Sequence, residues 1–134
     1  AQQFANTMAA SDAFEIQSSQ LALERIESGP MRDFAQRMVT DHQRSSEMLM
    51  AAAGNDVRPM PQLTPQQQTM LDEFRNTTGD AFAERYRTQQ RQAHQMALST
   101  LRDYAATGDH EGLRNFATQT ADVVAGHLTM LEQQ

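Results

Sequence analysis

The chain has 134 residues, no cysteine and a formal net charge of −6. This length suits a single domain, residues 1–134, that buries its own core. The absence of cysteine excludes disulfides, zinc fingers and thiol catalysis. We expect no nucleic-acid partner, because phosphate binding needs a surface rich in Lys and Arg. We also expect no membrane insertion, since no apolar stretch approaches the roughly 20 residues that a span needs.

Proline and glycine divide the chain into long segments of good helix formers. Pro30 is favoured at a first helical position, and Thr64-Pro65-Gln66-Gln67 predicts an N-cap, Pro at N1 and a capping-box Gln. Asp109 is expected to cap the last helix. The predicted helices cover about residues 4–27, 30–54, 65–76 (short), 80–106 and 110–133.

The lengths of the connections predict how these helices pack. Short connections join the first long helix to the second and the third to the fourth, so each pair should form an antiparallel hairpin. The long middle connection carries the short helix, as a crossover does. The expected fold is therefore all-α: a ferritin-like four-helix bundle of two antiparallel hairpins, with a crossover that contains a short extra helix.

One ionisable residue lies at the centre of the apolar face of each long helix. These residues are Glu15, His42, His94 and His127. Imidazole nitrogen and carboxylate oxygen from facing helices suit Zn, Cu, Fe or Mn, so the four form a candidate site for a transition metal ion. The alternative is that these buried groups only pair with one another or with tyrosine hydroxyls. His110, the fourth histidine, is expected to face solvent at a helix start.

Heights along the bundle rank the four candidates. Counted from their connecting turns, Glu15 and His42 each lie about 20 Å away and His94 about 21 Å away. His127 lies about 28 Å from its turn, roughly 8 Å beyond the level of His94, so it is the least favoured member. Asp41 points about 100° away from His42 on the same helix and is expected to lie at the surface or to orient a ligand from outside.

The di-iron carboxylate pattern is missing from the sequence. Val39 and Val124 stand three residues before His42 and His127, where that pattern requires Glu, so ferroxidase chemistry is disfavoured. No nucleophile elbow and no phosphate-binding loop occurs either. The sequence therefore favours a protein without enzymatic activity, and it gives no catalytic residue.

Several motifs resemble those of a bacterial family known as domain of unknown function 4142, whose members are often called "predicted outer membrane protein". Its "fA-x-x-Mv-x-DH" signature is similar to Phe34-Ala35-Gln36-Arg37-Met38-Val39-Thr40-Asp41-His42. Its later motifs are similar to Gly79-Asp80-Ala81-Phe82 with Tyr86 and His94, and to Phe116-Ala117 with His127-Leu128. The resemblance implies a ferritin-like fold, a periplasmic location and a link to stress responses. It brings no established activity.

The start of the chain and its composition lead to an expectation about location. The chain begins at Ala1, followed by Gln2 and Gln3, as an exported protein would after removal of its signal peptide, or as a trimmed chain would. We expect a periplasmic or secreted protein that binds a transition metal in its core and protects against stress. The alternative is a structural or protein-interaction module. A protein partner or a homo-oligomer is compatible with both.

Overall fold

The computed structural model describes residues 1–133, and its regular structure is helical throughout those residues. The helices in chain order are α1 (Gln2–Arg25), α2 (Pro30–Ala53), α3 (Pro65–Asn76), α4 (Ala81–Thr107) and α5 (Glu111–Glu132). Within this part of the chain, no helix is both long enough and apolar enough to cross a membrane.

The four long helices form a bundle. The α1 helix packs on α2 and the α4 helix packs on α5, which gives two hairpins; contacts of α2 with α5 and of α1 with α4 join the hairpins. The short α3 helix lies in the long connection and packs on α1 and α4. The predicted all-α bundle of two hairpins with a crossover helix is therefore confirmed.

Two helix starts show how local chemistry sets the elements. At α3, Thr64 Oγ1 accepts a hydrogen bond from the Gln67 backbone N–H at 3.1 Å, and Gln67 Oε1 accepts one from the Thr64 N–H at 2.9 Å. This is the predicted capping box. At α5 the predicted cap, Asp109, is wrong, because the helix begins one residue later. His110 caps α5 instead, and its Nδ1 accepts from the Leu113 N–H at 3.1 Å.

The core has three layers along the bundle axis. An apolar cluster at one end, which we call the first cluster, includes Phe4, Met8, Leu49, Leu101, Leu113 and Phe116. At the other end lies the second cluster, which includes Phe34, Met38, Phe74, Phe82, Tyr86 and Leu131. Between the clusters each long helix contributes buried polar side chains, which we call the polar layer: Asp12, Glu15, Ser18, Ser19, His42, Gln90, His94 and His127.

Candidate metal centre

Three imidazole rings meet at the middle of the bundle. His42 comes from α2, His94 from α4 and His127 from α5, and all three are buried. One ring nitrogen from each residue lies within 4.8 Å of a ring nitrogen of the other two. Ring centroids are 5.2 to 5.6 Å apart. The structure thus brings together three of the four residues that the sequence singled out.

The outward-facing nitrogen of each ring has an acceptor as its partner. His94 Nδ1 lies 2.8 Å from the backbone carbonyl oxygen of Gln90. Because a carbonyl oxygen only accepts, Nδ1 of His94 carries the proton and Nε2 presents a lone pair. The same reasoning applies to His42, whose Nδ1 lies 2.8 Å from Asp12 Oδ1. It also applies to His127, whose Nε2 lies 2.8 Å from Asp41 Oδ2. Each ring therefore turns a lone pair towards the cluster.

The contact between His94 and His127 exposes a conflict in this network. His94 Nε2 lies 3.2 Å from His127 Nδ1. With the protons on the outward nitrogens, both of these atoms are acceptors, and two acceptors cannot bond to each other. Moving the proton of His127 to Nδ1 only transfers the conflict to Asp41, because the carboxylate is also an acceptor. When all three rings are neutral, a cation or one further proton is needed to pair His94 Nε2 with His127 Nδ1.

Buried polar atoms without partners lie in the same layer. His42 Nε2, Glu15 Oε2 and Gln90 Oε1 have no hydrogen-bond partner among residues 1–133. Unpaired polar atoms are costly in the interior, and such atoms in a native protein call for a specific explanation. A metal ion bound among the three rings would pair the nitrogen of His42, and it would resolve the conflict between His94 and His127.

Burial favours the neutral form of two of the rings. It lowers the pKa of His94 well below the usual value, and the neighbouring His42 and His127 act in the same direction. Burial also lowers the pKa of His127, against the opposing effect of Asp41. For His42, burial is outweighed by the hydrogen bond to Asp12 and by the charge of Glu15, so its pKa is raised. A proton and a metal ion would therefore compete for Nε2 of His42.

Glu15 occupies a different place from the three rings. Its Oε1 lies 3.7 Å from His94 Nδ1, the nitrogen that already donates to Gln90. Its burial raises the pKa of Glu15 from 4.5 to about 7. Glu15 is thus a neighbour of the cluster and not one of the three groups whose ligand atoms converge.

Two carboxylates hold rings in place, and one of them was not predicted. Asp41 bonds to His127, which agrees with its expected role as an outer residue that orients a ligand. Asp12, on α1, bonds to His42 and accepts a further hydrogen bond from Ser46 Oγ at 3.4 Å. Metal-binding histidines commonly donate their other N–H to a carboxylate or a backbone carbonyl, as all three rings do here. The signal for Asp12 was available, since it lies one turn before Glu15 on the same face of α1.

Side-chain direction explains how His127 reaches His94 despite the predicted 8 Å offset in height. In a helix, side chains tilt towards the N-terminus. Because α4 and α5 are antiparallel, His94 tilts away from the turn that joins them and His127 tilts towards it. The two rings therefore approach each other, to 3.2 Å between nitrogens. Counting residues along the helix axes did not include this tilt.

Fold and site together define a class: an all-α bundle whose core carries a buried cluster of three histidines, each anchored by an acceptor. The family described as Domain of unknown function (DUF4142) matches residues 1–133. The chain belongs to this family. No curated protein and no solved structure matches the chain.

Proposed function

We propose that this protein binds one transition metal ion through His42, His94 and His127. The observation that carries the proposal is the 3.2 Å approach of His94 Nε2 to His127 Nδ1. Both atoms present lone pairs because their ring partners are acceptors. A cation between the rings turns this conflict into two coordinate bonds.

The donor set favours a borderline ion. Three neutral imidazoles suit Zn²⁺, Cu²⁺ or Co²⁺ better than Mg²⁺ or Mn²⁺, which prefer oxygen ligands. Three protein ligands leave a fourth tetrahedral position for Zn²⁺. Asp12 and Asp41 supply negative charge behind His42 and His127 and so balance the charge of the ion.

A structural role is the second candidate, and one observation favours it. His42 and His127 each bond to a carboxylate, so a paired polar layer fixes how the helices align. This reading explains the outward nitrogens of the rings. It leaves His42 Nε2 and the contact between His94 and His127 without an account.

Titration of the metal-free protein with Zn²⁺, Cu²⁺, Co²⁺, Mn²⁺ and Fe²⁺ tests the proposal. We expect one Co²⁺ per chain, with the intense visible bands of a tetrahedral nitrogen-ligated ion. We also expect the His42→Ala/His94→Ala double variant to lose these bands. A matched control is His110→Asn, which removes a histidine outside the cluster and keeps a good N-cap on α5.

Thermal unfolding separates the two candidates. A ligand that binds only the folded state at 100 times its Kd adds about 2.7 kcal/mol of stability. Zn²⁺ should therefore raise the Tm of wild type and of His110→Asn, and a chelator should reverse the rise. If Zn²⁺ and chelator leave the Tm of wild type unchanged, the structural role stands and the metal proposal is wrong.

The proposal extends to location and role. An exported bundle that takes up a borderline metal ion would protect its compartment against excess metal, and a chain without cysteine is compatible with an oxidising compartment. Fractionation of cells that make the full-length protein tests the location. Growth of a deletion strain in excess Zn²⁺ or Cu²⁺ tests the role, and growth equal to that of the parent strain in both metals would contradict it.

A further inference from the structure

We infer that the metal ion reaches the histidine cluster through a groove between α2 and α5, with Asp41 as its first ligand and the His127 ring as the gate. This inference rests on the proposed metal site. It concerns how the ion enters and leaves that site rather than whether it binds.

Asp41 is the most exposed of the carboxylates around the cluster. Of the three carboxylates that contact the rings, the side chain of Asp41 is 21% exposed, against 2% each for Asp12 and Glu15. Asp41 bonds directly to His127 Nε2 at 2.8 Å. Among these carboxylates, Asp41 is therefore the one that an ion from solvent can contact directly.

A surface groove of about 360 Å³ opens at this carboxylate. It is lined by Arg37, Asp41, Arg44, Ser45, Met48, Gln119, Thr120 and Val123. The Oγ of Ser45 is buried and has no hydrogen-bond partner within residues 1–133. The groove therefore offers an incoming hydrated ion the carboxylate of Asp41, and the unpaired Ser45 hydroxyl becomes a further oxygen donor when its side chain turns into the groove.

The His127 ring separates this groove from the cluster. Its Nε2 faces Asp41 on the outer side, and its Nδ1 faces His94 on the inner side. An ion held by Asp41 can pass inwards when the His127 ring swings aside. The ring then returns with Nδ1 bound to the ion and Nε2–H donating to Asp41, so no proton leaves the ring and charge and atoms balance.

Charge in the groove controls the rate of this step. Arg37 Nε bonds to Asp41 Oδ2 at 3.0 Å, and the Arg37 side chain is 60% exposed. The guanidinium therefore competes with an incoming cation for the same carboxylate oxygen that holds His127. Arg44 adds a second positive charge to the lining. Removal of one of these charges should accelerate the uptake of a divalent cation.

Stopped-flow measurement of Co²⁺ uptake, and of Co²⁺ loss to excess EDTA, tests the route. Val123 is exposed and lines the groove, so Val123→Trp should cover it without disturbing the core. A barrier on the route changes both rates by the same factor and leaves Kd unchanged. We expect both rates to fall by about tenfold, within the range over which access controls association. The matched control is Met96→Trp, at an exposed position that lines a different cavity between α1, α3 and α4.

Arg37→Gln gives an independent readout. We expect uptake about threefold faster at low salt, with the gain shrinking as salt screens the groove. Arg75→Gln, which breaks a comparable exposed pair with Asp72 on α3, should leave uptake unchanged. Wild-type rates in both Val123→Trp and Arg37→Gln, with normal Co²⁺ bands, would overturn the route and leave the metal site standing. The absence of Co²⁺ bands in wild type would overturn both.

Discussion

The apolar ends of the bundle and the polar layer between them differ in the free energy that their side chains gain or lose on burial. The first and second clusters bury phenylalanine, leucine and methionine side chains, which gain free energy when they leave water. The polar layer buries carboxylates, imidazoles and an amide in the same interior, and such groups gain nothing from burial unless they are fully paired. Each long helix passes through all three layers.

The difference separates what makes the fold from what makes the site. The two apolar clusters supply the hydrophobic free energy that favours packing of the helices. The polar layer has unpartnered atoms at His42 and Glu15, and a partly satisfied buried network is less stable than an apolar core of the same volume. A layer that costs stability in the metal-free protein is what we expect if the three histidines bind the metal ion proposed above.

The largest effect should come from an apolar end. Phe116 is 3% exposed and packs edge-on against Phe4, so Phe116→Ala removes a large buried side chain. We expect the free energy of unfolding in urea to fall by about 4 kcal/mol, with the number of Co²⁺ ions bound per folded chain unchanged. Val123→Ala, at an exposed position on the same helix, should change stability little. A Phe116→Ala variant that stays folded but loses Co²⁺ would break the separation between fold and site.

The next largest effect concerns the polar layer, where a substitution should raise the free energy of unfolding rather than lower it. The pKa of Glu15 rises on folding from 4.5 to about 7, because burial disfavours its charged form. Between these pH values the folded chain binds more protons than the unfolded chain, so the stability that Glu15 contributes is complete below pH 4.5 and is lost as the pH rises through about 7. This pKa difference of about 2.5 between the unfolded and the folded chain corresponds to about 3 kcal/mol of the free energy of unfolding. In metal-free protein at pH 8, Glu15→Gln should therefore be more stable than wild type by about this amount.

Unfolding in urea at several pH values checks this expectation. The advantage of Glu15→Gln should disappear by about pH 4, where wild-type Glu15 is protonated in both states. The matched substitution of an exposed carboxylate, Glu47→Gln, should show no comparable dependence on pH. A Glu15→Gln variant less stable than wild type at pH 8 would mean that the charged carboxylate is well paired in the layer.

A smaller effect is expected from the residue that orients His42. Asp12→Asn keeps an oxygen that can accept from His42 Nδ1 and removes its charge. We expect Co²⁺ binding about tenfold weaker, near the lower end of the range for residues that orient metal-binding histidines. Isothermal titration measures the change, with the exposed Asp103→Asn as the control. Unchanged affinity would show that the bond from Asp12 to His42 serves only the metal-free fold.

Sequence patterns were sufficient for the bundle because its signals are local. Pro30 begins α2, and Thr64 with Gln67 caps α3, and each depends on residues a few positions apart. The packing of hairpins follows from short connections, which leave two helices little choice but to lie side by side. The one wrong cap, Asp109, fails for a local reason as well, since His110 can serve as an acceptor in its neutral form.

The site was only partly predictable because it depends on side-chain direction across helices. His42, His94 and His127 stand out as polar residues on apolar faces. That His127 meets His94 depends on the tilt of two antiparallel side chains, and that Asp12 rather than Glu15 bonds to His42 depends on the rotation of α1 against α2. The spacing shows that Asp12 and Glu15 share one face of α1, but it does not show which of them bonds to His42, and a count along the helix axis leaves out the tilt of the side chains.

The smallest effect is expected at Thr64, which lies outside all three layers at the start of α3. It tests whether the layers depend on this crossover helix. Thr64 caps α3, which packs on α1 and α4 and contributes Phe74 to the second cluster. Thr64→Ala removes the acceptor for the Gln67 N–H and should lower the free energy of unfolding by about 1 kcal/mol. Thr64→Asn, which can still cap, should recover most of this loss. Because α3 contributes no ligand, Co²⁺ affinity should be equal in both variants, and a loss of affinity in Thr64→Ala alone would mean that the crossover helix also positions the polar layer.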